Sequence, residues 1–285
     1  MEKLIKEKIS SLLSEEEEVL SVEQLGGMTN QNYLVKTTSK PYIVKFFGKG
    51  TEKLINRQDE KYNLELLKDL NLDVKNYLFD IESGIKVNEY IDSATTLDST
   101  SIKTKFEKIA PILQTIHASG KELRGEFAPF EEIKKYEALI EENIPYANYE
   151  AVRKEVFLLE KRLADLGVDR KPCHIDLVPE NFIESPQGRM YLIDWEYSSM
   201  NDPMWDLAAL FLESEFTKQE EEDFLSYYES DKTPVSREKI RIYKILQDTI
   251  WSLWTVYKEA QGADFGDYGI NRYQRAVEGL TYYGG

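Results

Sequence analysis

The chain has 285 residues, of which 41% are apolar, 31% charged and 12% aromatic, a mix that excludes wholesale disorder, a collagen-like repeat and an integral membrane protein. Lys and Arg number 36 against 52 Asp and Glu; the formal charge of −16 repels a phosphate backbone, so small cations are more natural partners than nucleic acid. A single cysteine, Cys173, permits no internal disulfide and suits a reducing compartment. The first twenty residues mix charge with apolar side chains and carry no apolar leader region, and no run approaches the roughly 18 apolar residues of a membrane span. The expectation is a soluble cytoplasmic protein.

In chain order, KLIKEKISSLL (3–13) sets Leu4, Ile5, Ile9, Leu12 and Leu13 on one helical face. Tyr33–Val35 and Tyr42–Val44 read as strands of a β-meander, with Gly, Asn, Thr and Ser supplying the turns. A helix is expected over 56–70, with Tyr62, Leu66, Leu67 and Leu70 inward, and strands near 76–80 and 85–90 complete a small antiparallel sheet. After Ile91 the polar stretch DSATTLDST marks a boundary, giving lobes of 1–91 and 92–285. Helical periodicity then dominates at 102–119, 130–142, 149–166, 205–214, 218–229, 236–260 and 271–281. A short hairpin around Phe182–Ile183 and Tyr191–Ile193 interrupts it. The fold class expected is α+β, a small sheet-bearing lobe followed by a larger helical one.

The chemistry concentrates in CHIDLVPENFIESPQGRMYLIDWEYSSMNDPMWDLAALFLE (173–213). An aspartate at a loop mouth, Asp176, can orient or deprotonate a hydroxyl. Asn181 and, after the hairpin, Asp194 offer the hard oxygen ligands that Mg²⁺ prefers. Together they are the minimum for in-line phosphoryl transfer, where positioning and charge neutralisation do the work.

HIDLVPEN resembles the HxDxxxxN motif shared by choline kinases and aminoglycoside phosphotransferases, which are similar in fold to protein kinases. LIDWEYSSMNDPMWDLA, with Asp194, Glu196, Asp202 and Asp206, is similar to the second motif of the choline/ethanolamine kinases. The resemblance runs over essentially the whole chain and is greatest to bacterial choline kinases of the lic type, which feed phosphocholine to cell-surface polymers. It implies a two-lobed protein-kinase-like fold, ATP and Mg²⁺ as cofactors, Asp176 as catalytic base, and Asn181 and Asp194 as Mg²⁺ ligands. His174 reads as a general base from its chemistry and as a loop-stabilising group from the resemblance. His117, on an apolar helical face, and Cys173 read as core residues.

For the nucleotide, the resemblance assigns Thr29, Asn30 and Asn32 of the 26–32 turn to the phosphates. It also implies an ion pair of Lys45, in the apolar strand YIVKFF, with Glu60, although Asp59 is adjacent and competes, and backbone contacts of adenine with the linker at Glu89–Ile91. By residue chemistry alone the turn is a hairpin tip, and a lysine flanked by apolar residues needs an anionic partner if it is buried. For the acceptor, Trp251 and Trp254 lie one helical turn apart. That pair reads either as a core stripe or as a box for a quaternary ammonium, which aromatic faces and diffuse negative charge hold best. Tyr257 and Tyr268, close in sequence, and Glu196 and Glu213, which flank the catalytic segment, favour the box; the resemblance to choline kinases matches the Trp pair and Tyr268, and Tyr197 joins the expected substrate-binding set. The expectation is choline as substrate, with phosphocholine and ADP as products. An ethanolamine or aminoglycoside kinase on the same fold, and a non-catalytic choline-binding protein, are the rival readings. No HRD, DFG or APE-like segment supports a protein kinase.

Overall fold

The computed structural model describes residues 2–10, 12–13, 17–26, 30–48 and 50–284. The chain divides into two compact units, the first made of 1–96 with 181–196 and the second of 97–180 with 197–285. The boundary expected after Ile91 lies five residues from this division, but 181–196 returns to the first unit, an excursion that a single linear cut does not represent.

The first unit opens with helix α1 (Glu2–Ser10), whose Ile5 and Ile9 are buried against Val35, Tyr42, Val44, Phe46, Ile85 and Val87. These six come from alternate positions of a five-stranded antiparallel sheet of order β1-β2-β3-β5-β4. Its strands are β1 (Val19–Gln24), β2 (Gln31–Thr37), β3 (Pro41–Phe46), β4 (Asn76–Asp80) and β5 (Ile85–Glu89). The alternation puts one face on the α1 core and leaves the other for polar side chains. Helix α2 (Arg57–Leu67) begins at Asn56, whose side chain accepts from the Gln58 and Asp59 N–H groups as an N-cap. Its buried residues are Arg57, Glu60, Asn63 and Leu67; of the expected stripe Leu67 is buried, Leu66 and Leu70 are half-buried, and Tyr62 is exposed. The inward face is largely polar because it meets charged partners. A second sheet joins β6 (Thr95–Thr96) to the hairpin β8 (Phe182–Glu184) and β9 (Met190–Leu192).

The second unit is helical: α3 (Phe106–His117), α4 (Pro129–Leu139), α5 (Tyr149–Leu166), α6 (Pro203–Glu213), α7 (Lys218–Tyr228), α8 (Arg237–Ala260) and α9 (Tyr268–Gly284). All seven expected helices are present, with ends shifted by a few residues. The two-stranded ladder of β7 (Lys171–Cys173) with β10 (Ser199–Asn201) is not expected from the sequence, because its three-residue strands carry no periodic signal and, unlike β8 and β9, are not joined by a short turn. Helix α8 packs against α4, α5, α6 and α9, and its buried positions occur on every side. Helix α9 lies close on it: a Cβ at Gly269 would fall 2.7 Å from Tyr146 Oη and 2.8 Å from Thr255 Cγ2. A larger residue there would push away the helix that carries Tyr268. Among the described residues, no helix is long and apolar enough to cross a membrane.

Candidate active site

In the first unit, Lys45 and Lys86 are cross-strand partners on β3 and β5 and therefore share a sheet face. Both are buried, and two like charges so arranged require carboxylates. Lys45 Nζ lies 2.5 Å from Asp194 Oδ1 and 3.6 Å from Glu196 Oε2. Burial works against its charge, but Asp194 and Glu196 outweigh it and hold the ammonium above the usual lysine range. Lys86 pairs with Glu60, which also accepts from Arg57 Nη1 at 2.6 Å. The expected Lys45–Glu60 pair is therefore corrected. Glu60 is taken by Lys86 and Arg57, and Lys45 by the carboxylates that follow β9.

Glu196 is corrected too. Its expected place was beside the aromatic box, but its buried carboxylate belongs to the first unit, where it accepts from Asn30 Nδ2 at 3.0 Å and from Arg57 Nη1 at 2.8 Å. Asn30 Oδ1 in turn accepts from the Gly48 N–H at 3.1 Å. Asn32 Nδ2 donates to the Gly26 carbonyl at 3.1 Å, so the amides of both Asn30 and Asn32 hold loop backbone or the charge cluster. Thr29, with Gly27 and Met28, lies outside the described residues. The Glu89 N–H donates to Lys75 O, and the Ile91 carbonyl closes a turn with the Ala94 N–H.

Asn181 and Asp194 end the β8–β9 hairpin. The Ile193 N–H donates to the Asn181 carbonyl at 2.8 Å, which holds the two ends of the hairpin together. Asp194 has φ 67°, a left-handed conformation that costs a non-glycine residue about 1–3 kcal/mol and persists where surrounding contacts impose it. Contacts at this turn include the Lys45 ion pair and the Trp195 indole N–H, which donates to Leu192 O at 2.8 Å.

The second unit carries the 174–176 loop. Ile175 has φ 77°, which is strained further by its β-branch. Asp206, in the first turn of α6, holds it there: its carboxylate accepts from the His174 and Ile175 N–H groups at 2.8 Å each. The Trp205 indole N–H donates to the Ile175 carbonyl at 3.0 Å. Asp206 also meets His117 Nε2 at 3.0 Å, and His117 Nδ1 meets the Tyr228 hydroxyl at 2.7 Å. His117 is thus the satisfied core histidine expected, and fully buried His174 sits within this scaffold. Asp202 caps α6 through the Met204 N–H and is neutralised by Lys239 at 2.7 Å.

Asp176 follows the strained residue and is half-buried. Burial is the main cause of the raised pKa values of Tyr136 and Tyr268, and the Asp176 charge adds to both. Tyr268 is pushed up to about 12. Tyr136 shares a hydrogen bond with Tyr197, whose ring stands edge-on to Trp251 at 5.9 Å. Trp254 packs on Phe265 at 4.9 Å, and its indole N–H is buried without a partner among the described residues. Both indoles are more than nine-tenths buried. No ring contact joins Trp251 to Trp254 among the described residues, and a cation sandwiched between aromatic faces needs the rings apart. Glu213 pairs with Arg272, which donates to the Tyr268 hydroxyl at 2.8 Å.

Sequence reasoning missed Arg57, Lys86, Trp205 and Arg272 and assigned no role to Asp206. Asp206 had a usable signal, an acid in the first turn of an otherwise apolar helix.

The chain belongs to the choline/ethanolamine kinase family, whose model matches residues 22–242, as the HIDLVPEN resemblance implied. It is similar to the choline kinase LicA from Streptococcus pneumoniae, at 88% identity and TM-score 0.96 over 99% of both chains. It is also similar to a structure of LicA in complex with AMP, at 89% identity and TM-score 0.93, covering 99% of this chain and 98% of that one. The fold is shared with the spectinomycin phosphotransferase APH(9)-Ia, at 14% identity and TM-score 0.66 over 99% of this chain and 98% of that one.

Proposed function

We propose that the chain is an ATP-dependent choline kinase that converts choline to phosphocholine with release of ADP, a supply reaction for cell-surface polymers as the lic-type resemblance implies. Asp176 is the base: it orients the choline hydroxyl and takes its proton as the oxygen attacks the γ-phosphorus. Asp206, Trp205 and His174 keep that carboxylate's loop in its strained conformation. Lys45, in its pair with Asp194, provides the cation for the triphosphate. The AMP bound by the LicA relative supports an adenine nucleotide as donor.

Mg²⁺ fits the donor chemistry at the end of the β8–β9 hairpin, where Asn181 and Asp194 offer one amide and one carboxylate oxygen and no soft ligand. Bound there, it would supply charge neutralisation at the phosphate oxygens. Among the described residues, a cluster of His117, Cys173 and Asp206 also brings metal-ligating atoms together, but it lies in the core, where hydrogen bonds already engage its donor atoms.

Trp251, Trp254, Tyr197 and Tyr268 form the walls for the trimethylammonium group, each cation–π contact contributing about 0.5–2 kcal/mol. The observation that carries this reading is that Asp176 and the aromatic walls belong to one compact unit, in which the Tyr197 ring packs edge-on against Trp251. A coupled ADP-release assay with choline, ethanolamine and an aminoglycoside side by side tests it. Choline turning over with the highest kcat/KM supports the reading, and preference for another acceptor overturns it. Choline binding by calorimetry without ADP release would favour a non-catalytic choline-binding protein.

A further inference from the structure

Helices α6, α8 and α9 bring together a four-charge group that the proposed reaction does not use. Arg272 is buried, its side chain 3% exposed, one turn after Tyr268 on α9. Its Nη1 donates to Asp248 Oδ1 at 3.0 Å, and its Nη2 donates to Glu213 and to the Tyr268 hydroxyl. The guanidinium carbon also lies 4.9 Å from the Tyr268 ring centre. Arg275 covers the remaining side of Asp248 at 2.6 and 3.1 Å. Two carboxylates are thus matched by two guanidinium groups, and the cluster is neutral.

That balance bears on which amine the neighbouring aromatic walls accept. A quaternary ammonium has no N–H to satisfy and is content with ring faces. A primary ammonium brings three donors and, once desolvated, needs acceptors. Glu213 is the carboxylate of this cluster half-open to its surroundings, and Arg272 holds it. A buried donor left unpaired is a strong basis for rejecting a ligand.

We propose that Arg272 is a specificity-determining positioning residue: by neutralising Glu213 and fixing Tyr268, it denies a primary ammonium its acceptor and tilts the pocket toward choline over ethanolamine. The proposal rests on the reading that Trp251, Trp254 and Tyr268 hold the amino alcohol.

The test measures kcat and KM for choline and ethanolamine on the full chain. Arg272→Met removes the guanidinium at similar length and leaves Asp248 paired to Arg275. It should cut the choline-to-ethanolamine ratio of kcat/KM at least tenfold, mainly through a lower ethanolamine KM, with the KM for ATP unchanged. Arg272→Lys should keep the ratio within about threefold, and adding Glu213→Gln to Arg272→Met should restore it. An unchanged ratio in folded Arg272→Met, or a double variant no different from the single one, overturns the proposal. If Arg272→Met fails to fold, Glu213→Gln alone decides. It should raise both acceptor KM values alike by uncovering a cation, whereas selective loss of ethanolamine turnover would mean that Glu213 already serves primary amines. Trp254→Ala separates the two levels: equal effects on choline and ATP KM sink the pocket assignment itself, independently of Arg272.

Discussion

Replacing Asp206 with Asn should disable the enzyme without touching a group that contacts substrate. In the native loop the two carboxylate oxygens accept from the successive N–H groups of His174 and Ile175, both at 2.8 Å, and one of them also meets His117. An asparagine presents an oxygen to only one of these N–H groups and an NH₂ to the other, whichever way the amide is turned. One backbone donor therefore loses a hydrogen bond to a charged acceptor, a loss of about 1.5–3 kcal/mol. Ile175 at φ 77° already holds about 1–3 kcal/mol of strain that this bond helps to sustain. The loop conformation that presents Asp176 should therefore weaken by about 1.5–3 kcal/mol, or about 10- to 150-fold in kcat. Steady-state kinetics with choline and ATP, run beside urea denaturation, measures this. The expected signature is a kcat loss of that size, acceptor and ATP KM values changed by less than threefold, and a protein that is still folded. A folded Asp206→Asn variant with kcat within threefold of the parent would refute the argument that this carboxylate sustains the loop.

Asp176→Asn should lower kcat by several decades while choline binding by calorimetry persists; near-normal turnover would remove Asp176 from the role of base. Trp254→Ala should raise the KM for choline by about tenfold, the equivalent of one good cation–π contact, and leave the KM for ATP unaltered. Lys45→Met strips Asp194 of its 2.5 Å partner, so the KM for ATP should rise and kcat fall together, with choline affinity by calorimetry preserved. Burial pushes the Asp73 carboxyl up to about 7, against the pull of Lys86, so the folded protein binds a proton there that the unfolded chain has released. The sign is that of a raised acid: the contribution to stability is full below about pH 4 and is lost as pH climbs through 7. Asp73→Asn should flatten the fall in urea midpoint between pH 5 and pH 8, and an unchanged slope would exclude Asp73 as its source.

The parts of this architecture legible in the sequence are those that depend on near neighbours. Asp176, Asn181 and Asp194 are linked by a short loop and one hairpin, so their order along the chain already expresses their chemistry, and the long helices of the second unit announce themselves by apolar period. What was not legible is pairing. The sequence offers Glu60 to Lys45, but the β3–β5 register sets a second lysine, Lys86, on the same face, and Glu60 pairs with that lysine and with Arg57. Helix α2 defeats an apolar-period reading for the same reason. Its inward residues are an arginine, a glutamate and an asparagine, whose burial becomes tolerable only once Lys86 and Glu196 have arrived from other parts of the chain. Glu196 shows how sharply local geometry redirects a side chain. It stands two residues from Asp194 and one from Tyr197, yet the left-handed turn at Asp194 and the short 3₁₀ turn of Trp195–Tyr197 leave its carboxylate with Asn30 and Arg57. Tyr197, the next residue, packs on Trp251 in the other unit. A buried charge is therefore a statement about its partner. The composition does carry one advance sign of it: a lysine in an apolar strand must be matched by an acid if it is buried, and an excess of acids as large as this chain's leaves several candidates for each such lysine. For Lys45 and Lys86 the strand register and the left-handed turn at Asp194 make that choice.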